Sequence, residues 1–431
     1  MHEHIQLIFI LFPLFILAGM PIAFVLGSIP LIYIFVTDAI PLVMIPQAMF
    51  NGVDSFVLLS IMFFILAGSL MNKIGLTHDL IAFADLIVGR IRGSLAQINV
   101  LVSILFAGLT GAAVADAAAI GSMLIPAMEK EGYSKQYAAA VTATSSVIGP
   151  IIPPSIIMVI YAAVTGLSVG DLFIAGIVPG LLIGVALMVL CYYYARKENH
   201  PCRTTAIPRA QAFRIVRKSV AALLVPVIII GGILSGMFTP TEAAAIACVY
   251  SLVLGVIVFR TVSLKAVYES FKEAAVVASM ILLIISAAKL FCIMMAMEGI
   301  PQTISSYILN VTDNKFIFLL FVNLLLIFMG MILETGANVL LLVPILMPIA
   351  MQYGIDPLHF AIVVLVNLNI GLATPPLGVV LFTIVPIAKT SFESIIPKLV
   401  PFLLAMLVVL FAMTYIPDLV LFVPKLLGYG S

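Results

Sequence analysis

Apolar stretches of membrane-scale length follow one another along the whole chain. They occupy 5–36 (interrupted near Pro21), 56–71, 94–110, 114–128, 136–148, 155–166 and 172–195. A second series runs over 219–235, 241–259, 276–297, 315–333, 337–351, 358–371, 377–389 and 397–416. Polar residues do not alternate with apolar ones at period two, so the pattern predicts helices and excludes a transmembrane β-barrel. A full helical span takes about 20 residues. Several segments fall short of that and come in adjacent pairs broken by Gly or Pro. Such pairs predict re-entrant hairpins or discontinuous helices, tolerated at membrane depth only where they line a protein cavity. The more polar stretches 77–92 and 261–275 read equally well as interfacial amphipathic helices or as connecting loops.

Composition sharpens this. Of 431 residues, 64% are apolar and 9% charged, against about 25% charged in soluble proteins. That excludes a soluble enzyme, a disordered scaffold and a nucleic-acid binder, leaving a polytopic helical membrane protein. Net charge is +1, so it implies no bulk electrostatic partner. Cys191, Cys202, Cys248 and Cys292 have neither disulfide nor zinc spacing. Tryptophan is absent, so Tyr and Phe must supply any interfacial belt. The N-terminus is apolar from Ile5 without a basic n-region, which predicts a retained membrane segment. The loop 196–218 holds Arg196, Lys197, Arg203, Arg209, Arg214, Arg217 and Lys218 against the single acid Glu198. The positive-inside rule places it in the cytoplasm.

The chain also matches itself at an offset of 222. Pro126 falls on Pro348, Gly132 on Gly354, Ala139 on Ala361, Val141 on Val363, Ile148 on Ile370, Gly149 on Gly371, and Pro153-Pro154 on Pro375-Pro376. Paired prolines remove two amide donors and push the preceding residue out of the helical region. Each half therefore carries a helix interrupted near 149–154 or 371–376. Interrupted segments at corresponding positions point to a transporter site near the bilayer midplane. Two halves follow, 1–195 and 219–431, joined by the basic linker 196–218. The hairpins and broken helices fall at about 110–166 and 333–389.

Polar residues cluster at these breaks. Thr142, Thr144, Ser145, Ser146 and Ser155 flank the first; Asn367, Asn369 and Thr374 flank or enter the second. Upstream of each lies a glycine-containing patch: Thr110, Gly111 and Asp116 in one, Glu334, Thr335, Gly336 and Asn338 in the other. Hydroxyls, amides and freed carbonyls are hard ligands suited to a small cation, and helix N-termini after a break attract anions. Sodium ligands are expected from Ser145 or Ser146 where 110–116 meets 145–149. The counterpart set is Thr335, Asn367 or Thr374 where 334–338 meets 367–374. Gly149 and Gly371 shape the two breaks. Ionisable residues within spans are functional candidates by their cost; these are Asp116, Glu242, Lys289, Glu298 and Glu334, of which Asp116 and Glu334 rank first beside the glycine patches, while Glu242 and Glu298 near segment ends read equally as interfacial. Lys289 contacts an anionic substrate, pairs with an acid or snorkels. Gly176, Gly180 and Gly184 form a small-residue ridge for helix packing. No phosphate-binding P-loop is present, so ATP hydrolysis by that route is excluded.

At these residues the sequence resembles the large membrane subunit of the tripartite ATP-independent periplasmic (TRAP) transporters, the DctM family. The resemblance spans nearly the whole chain. It includes Gly19-Met20-Pro21-Ile22-Ala23, Val114-Ala115-Asp116-Ala117-Ala118-Ala119, Gly149-Pro150-Ile151-Ile152-Pro153-Pro154-Ser155, Phe238-Thr239-Pro240-Thr241-Glu242-Ala243 and Asn369-Ile370-Gly371-Leu372-Ala373-Thr374-Pro375-Pro376. It implies an all-α polytopic, inverted-repeat elevator-type transporter with two re-entrant hairpins and two unwound helices. It further implies sodium-coupled import across the bacterial inner membrane, with no enzymatic activity and no cofactor beyond Na+. The implied partners are a small four-helix membrane subunit, a periplasmic substrate-binding protein, a carboxylate such as a C4-dicarboxylate, sialic acid or sugar acid, and the lipid bilayer. Ala112 stands where the family often has serine, and Glu334 where it often has aspartate. A stand-alone sodium/carboxylate symporter of the divalent-anion type is the alternative, distinguished by needing no binding protein.

Overall fold

In hydrocarbon every backbone amide must be satisfied within its own segment, so long apolar stretches fold as helices. The computed structural model describes residues 2–38, 40–202 and 207–429; Arg203, one of the basic residues of the linker, lies outside them. The described residues form helices α1 (His2–Leu17), α2 (Ile22–Thr37), α3 (Met44–Val53), α4 (Phe56–Ile74), α5 (Leu76–Val88), α6 (Ser94–Thr110), α7 (Ala113–Lys130), α8 (Lys135–Ser146), α9 (Ile156–Thr165) and α10 (Val169–Lys197). After the linker come α11 (Arg209–Leu234), α12 (Pro240–Leu252, extended by a π-helix Val253–Val258), α13 (Leu264–Met297), α14 (Ile300–Val311), α15 (Lys315–Ile332), α16 (Thr335–Gln352), α17 (Pro357–Gly371), α18 (Val379–Ala388), α19 (Phe392–Tyr415) and α20 (Asp418–Leu426). Eight are long and apolar enough to cross a membrane: α4, α10, α11, α12 with its extension, α13, α15, α16 and α19.

The helix bounds repeat at the offset found in the sequence. Adding 222 to α6, α7, α8, α9 and α10 gives 316–332, 335–352, 357–368, 378–387 and 391–419, the positions of α15 to α19. The same addition carries α5 to 298–310 (α14) and α2 to 244–259 (α12 with its extension). The combined span of α3 and α4 maps to 266–296, which in the second half is the single helix α13. Asp54-Ser55 breaks the first copy where Val276-Val277 continues the second. Packing is reciprocal: α2 lies on α13 and α4 on α12, α9 on α16 and α18 on α7, α8 on α19 and α17 on α10. Exchange of partners between halves is the mark of a two-fold relation. Of the two ambiguous polar stretches, 77–92 is mostly the separate helix α5. The other, 261–275, mostly forms the first turns of α13. At about 1.5 Å per residue α13 is roughly 51 Å long, well beyond a hydrocarbon core of about 30 Å.

Polar contacts gather several helix ends on one face. Lys73 at the end of α4 pairs with Glu273 near the start of α13 at 3.3 Å. Ser219 Oγ on α11 donates to the Asp79 carbonyl on α5 at 2.9 Å. The Gly93 amide before α6 donates to the Pro201 carbonyl beyond α10 at 3.0 Å. Lys398 on α19 reaches Glu198 at 2.5 Å, and the His200 ring lies 4.9 Å from that of Tyr137 on α8. These helix ends carry Lys73, Arg90, Arg92, Lys135, Arg196, Lys197 and Lys398 together with the acids Asp79, Asp85, Glu129, Glu131, Glu198 and Glu273.

Candidate functional site

The first hairpin turns at Gly111, whose φ of +61° suits a residue without a side chain. Its Cα faces the broken helix: a Cβ there would lie 2.7 Å from the Pro154 carbonyl oxygen. Asp116, in the first turn of α7, is fully buried. Thr110 Oγ1 donates to its Oδ1. Its Oδ2 has no hydrogen-bond donor and points at Gly149, where a Cβ would come within 2.2 Å of it. The α8 helix ends at Ser146, and the chain runs irregularly to Ser155, which caps α9 by accepting the Met158 amide and donates to the Pro150 carbonyl at 2.6 Å.

The second hairpin turns at Leu333-Glu334. Position 338 is the offset partner of 116, and it repeats the arrangement with an amide. Asn338 Nδ2 donates to the Met329 and Leu333 carbonyls at 3.1 and 3.0 Å, closing the tip. Those two acceptors fix the amide orientation and leave Oδ1 buried without a donor. Thr335 Oγ1 donates to Asn369 Oδ1 at 3.2 Å, joining tip to broken helix. Gly371 lies backbone to backbone against Gly330, and Thr374 Oγ1 donates to the Ile370 carbonyl at 2.8 Å. A hydroxyl that donates in this way keeps lone pairs for a cation. Ser146 is in the same state, bonded to Ala143.

The two tips meet at a cavity of about 170 Å³. Ala112 and Glu334, Ala113 and Thr335, Val114 and Gly336, Pro150 and Leu372, and Ile157 and Val379 all line it, and each pair is related by 222. The cavity therefore sits on the two-fold relation between the halves. Its far wall is Val277, Ile281 and Ile284 of α13. Glu334 is open to this space. A neighbouring cavity of about 260 Å³ contains Lys289, and Ile160 and Leu340 line both. Lys289 makes no ion pair with any described residue.

Ser145 and Asn367, also offset partners, face away from the tips. Ser145 Oγ donates to Asn99 Oδ1 and accepts from Ser103, both at 3.0 Å, stapling α8 to α6. Asn367 Nδ2 donates to Asn323 Oδ1 at 2.6 Å, and Asn323 reaches Thr414 at 3.3 Å, stapling α17 to α15 and α19. Asn367 Oδ1 is nonetheless buried without a donor. The staple partners Asn99, Ser103, Asn323 and Thr414 escaped sequence reasoning; the only signal was an isolated amide within an apolar run. The other two acids sit at helix ends: Glu298, just after α13, accepts from Tyr33 at 2.5 Å, and Glu242, in the first turn of α12, closes a capping box with Thr239. Neither touches the cavity.

The family model for the tripartite ATP-independent periplasmic transporter, DctM component, matches residues 9–419. The chain belongs to the DctM family. It is thus the large permease component of a TRAP transporter, a multi-pass inner-membrane protein and not an enzyme. It is 40% identical over 415 residues to the sialic acid TRAP transporter large permease SiaM of Vibrio cholerae, covering 96% of this chain and 97% of that one. To the C4-dicarboxylate TRAP large permease DctM of Rhodobacter capsulatus it is 38% identical over 426 residues, covering 96% and 97%. Among solved structures, it resembles the efflux pump MtrF of Neisseria gonorrhoeae with a TM-score of 0.60 at 15% identity, covering 88% of this DctM chain and 84% of MtrF. That likeness concerns fold alone.

Proposed function

We propose that this permease imports a small carboxylate by coupling to sodium, and that its two hairpin tips each hold one coupling ion. The observation that carries the reading is the pair of donorless buried oxygens at offset positions, Asp116 Oδ2 and Asn338 Oδ1. A buried acceptor without a donor is costly, and a hard cation satisfies it. Gly111 and Gly149 shape the space around Asp116. Ser146 supplies hydroxyl oxygen nearby. Around Asn338, the further oxygens are those of Thr335, Asn369 and Thr374. The substrate lies in the cavity between the tips, and Lys289 in the adjoining cavity attracts its carboxylate. The sialic acid and C4-dicarboxylate relatives support the carboxylate class. In this reading the hairpins are re-entrant, and they move with the broken helices as one body against the remaining helices. The halves 1–195 and 219–431 are the two repeats, with 196–218 as a cytoplasmic linker. The permease works with a small membrane subunit and takes substrate from a periplasmic binding protein.

The test is uptake into proteoliposomes holding this permease and its small subunit, with substrate-loaded binding protein outside. Accumulation that follows an inward sodium gradient without ATP supports the reading. Uptake indifferent to sodium removes the coupling. Equal uptake of free substrate without binding protein favours the stand-alone symporter.

A further inference from the structure

We propose that Arg90, Arg92 and Arg196 form a binding site for the phosphate headgroup of an anionic phospholipid. The three arginines line one open basin of about 670 Å³ with Ile91, Tyr192 and Cys202. Arg90 and Arg92 stand on the turn between α5 and α6, and Arg196 in the last turn of α10. The frame holding them is tightly joined. The Gly93 and Ser94 amides donate to the Pro201 carbonyl at 3.0 and 3.4 Å. Gly93 also sits so close to α10 that a Cβ would come 2.6 Å from that of Ala195.

All three guanidinium groups are exposed, and none is ion-paired with a described residue. Of the nearby acids, Glu198 is held by Lys398 at 2.5 Å and faces His200 at 3.3 Å, and Asp85, folded against Gly89 beside Arg90, has an interaction of its own. Three like charges around one basin repel unless an anion joins them. A phosphate presents several acceptor oxygens, and planar guanidinium forks bind such groups in bidentate fashion. Arg196 is further oriented by the Tyr192 ring, with its Cζ 5.0 Å from the centroid.

The surroundings favour a lipid over a soluble anion. Ile87 is 57% exposed, Ile91 37%, Tyr192 39% and Tyr193 58%. Exposed aliphatic side chains and tyrosines beside arginines are the composition of a membrane–water boundary, and this chain has no tryptophan to serve there. The basin also gathers three arginines that are not ion-paired with described residues, while Lys73, Lys135 and Lys398 on neighbouring helix ends are each paired with an acid. Such a local excess of positive charge suits a leaflet rich in anionic lipid.

Native mass spectrometry of the full-length permease, purified in neutral detergent and stripped of lipid, tests this by titration with phosphatidylglycerol, phosphatidylcholine or inorganic phosphate. Phosphatidylglycerol binds, and the triple variant R90Q/R92Q/R196Q binds it roughly 100-fold more weakly. The charge-matched control R209Q/R214Q/R217Q, on the same linker side but outside the basin, stays close to wild type. Where the triple variant does not fold, Arg196→Gln alone weakens binding about fivefold. Equal losses in the two triple variants, no discrimination against phosphatidylcholine, or inorganic phosphate that binds and displaces phosphatidylglycerol would each overturn the proposal. The readout is lipid mass, so its failure is separate from any failure of sodium-coupled uptake.

Discussion

The first hairpin tip seals its carboxylate against the broken helix, whereas the second opens its carboxylate to the cavity. Asp116 lies fully buried over Gly149, and its offset partner is the neutral Asn338. Glu334 lines the cavity, and its offset partner is Ala112. Each tip thus carries one carboxylate, but at different places in the same architecture. The cavity inherits this asymmetry: Ala112, Ala113 and Val114 offer it aliphatic walls, while Glu334 and Thr335 offer oxygen. A shared fold fixes where backbone breaks fall, and the side chains then assign unlike tasks to equivalent positions. On the proposed reading, the first tip would be mainly an ion site, and the second would join an ion site to the substrate cavity.

The glycines give the largest expected effect. Gly371→Ala places a Cβ 2.6 Å from the Gly330 backbone, which cannot swing aside. It should yield little folded permease, since overpacking of this kind costs about 1–3 kcal/mol and sometimes more. Gly149→Ala meets the Asp116 carboxylate and, at 3.1 Å, the Ser146 carbonyl, so it displaces a side chain rather than abutting another chain segment's backbone at close range. It should fold and lose its sodium response. Expression and size-exclusion profiles, read beside sodium-dependent uptake, separate the two; equal misfolding in both would undo the contrast.

Charge is next. Asp116→Asn should weaken apparent sodium affinity roughly 100-fold, while Asn338→Ala should do so by about tenfold, because an interaction with an ionised group is about twice as strong as a neutral one. Glu334→Gln removes a negative charge from the wall facing the anionic substrate, so it should lower the KM for substrate and leave sodium half-saturation nearly unchanged. Sodium titrations of uptake check all three, and a sodium shift in Glu334→Gln larger than that in Asp116→Asn would reverse the assigned roles.

Much of this was legible in the sequence, because Gly, Pro and long apolar runs act on the backbone locally. The offset of 222, the two breaks and the residues at both tips are of that kind. What was not legible depends on which side a polar residue faces on a helix apolar all round. Ser145 and Asn367 looked like cation ligands by their place beside the breaks, yet they bond to Asn99 and Asn323 on neighbouring helices. Their partners could be found only once α6 and α15 were packed. Removing either staple should therefore act mainly on stability. Ser145→Ala and Asn367→Ala should each lower it by about 1–2 kcal/mol, measured by thermal unfolding in detergent. Ser146→Ala and Thr374→Val remove hydroxyls bonded only within their own helical turn. They should shift sodium affinity more than melting, and the opposite ranking would exchange these roles.

The smallest effect lies where the halves diverge beyond their helices. His200 has Phe422 as its offset partner. Its ring lies tilted against those of Tyr133 and Tyr137, with centroids 4.2 and 4.9 Å apart, and its Nε2 is 3.3 Å from Glu198. Burial holds its pKa below the usual 6.5, prevailing over the attraction of Glu198, while Lys398 pushes the same way as burial. The folded state thus binds fewer protons here than the unfolded chain does. Stability from this packing is complete above about pH 6.5 and is lost as pH falls through the depressed folded value. The Pro201 carbonyl that follows anchors Gly93 and Ser94, so the protection of those two amides, taken relative to intrinsic exchange at each pH, should fall on acidification from about pH 7.5 to 5.5. His200→Phe, which copies the second half, should flatten that dependence while preserving the aromatic contacts. An unchanged pH slope in His200→Phe would remove the His200 imidazole as the source of the acid response.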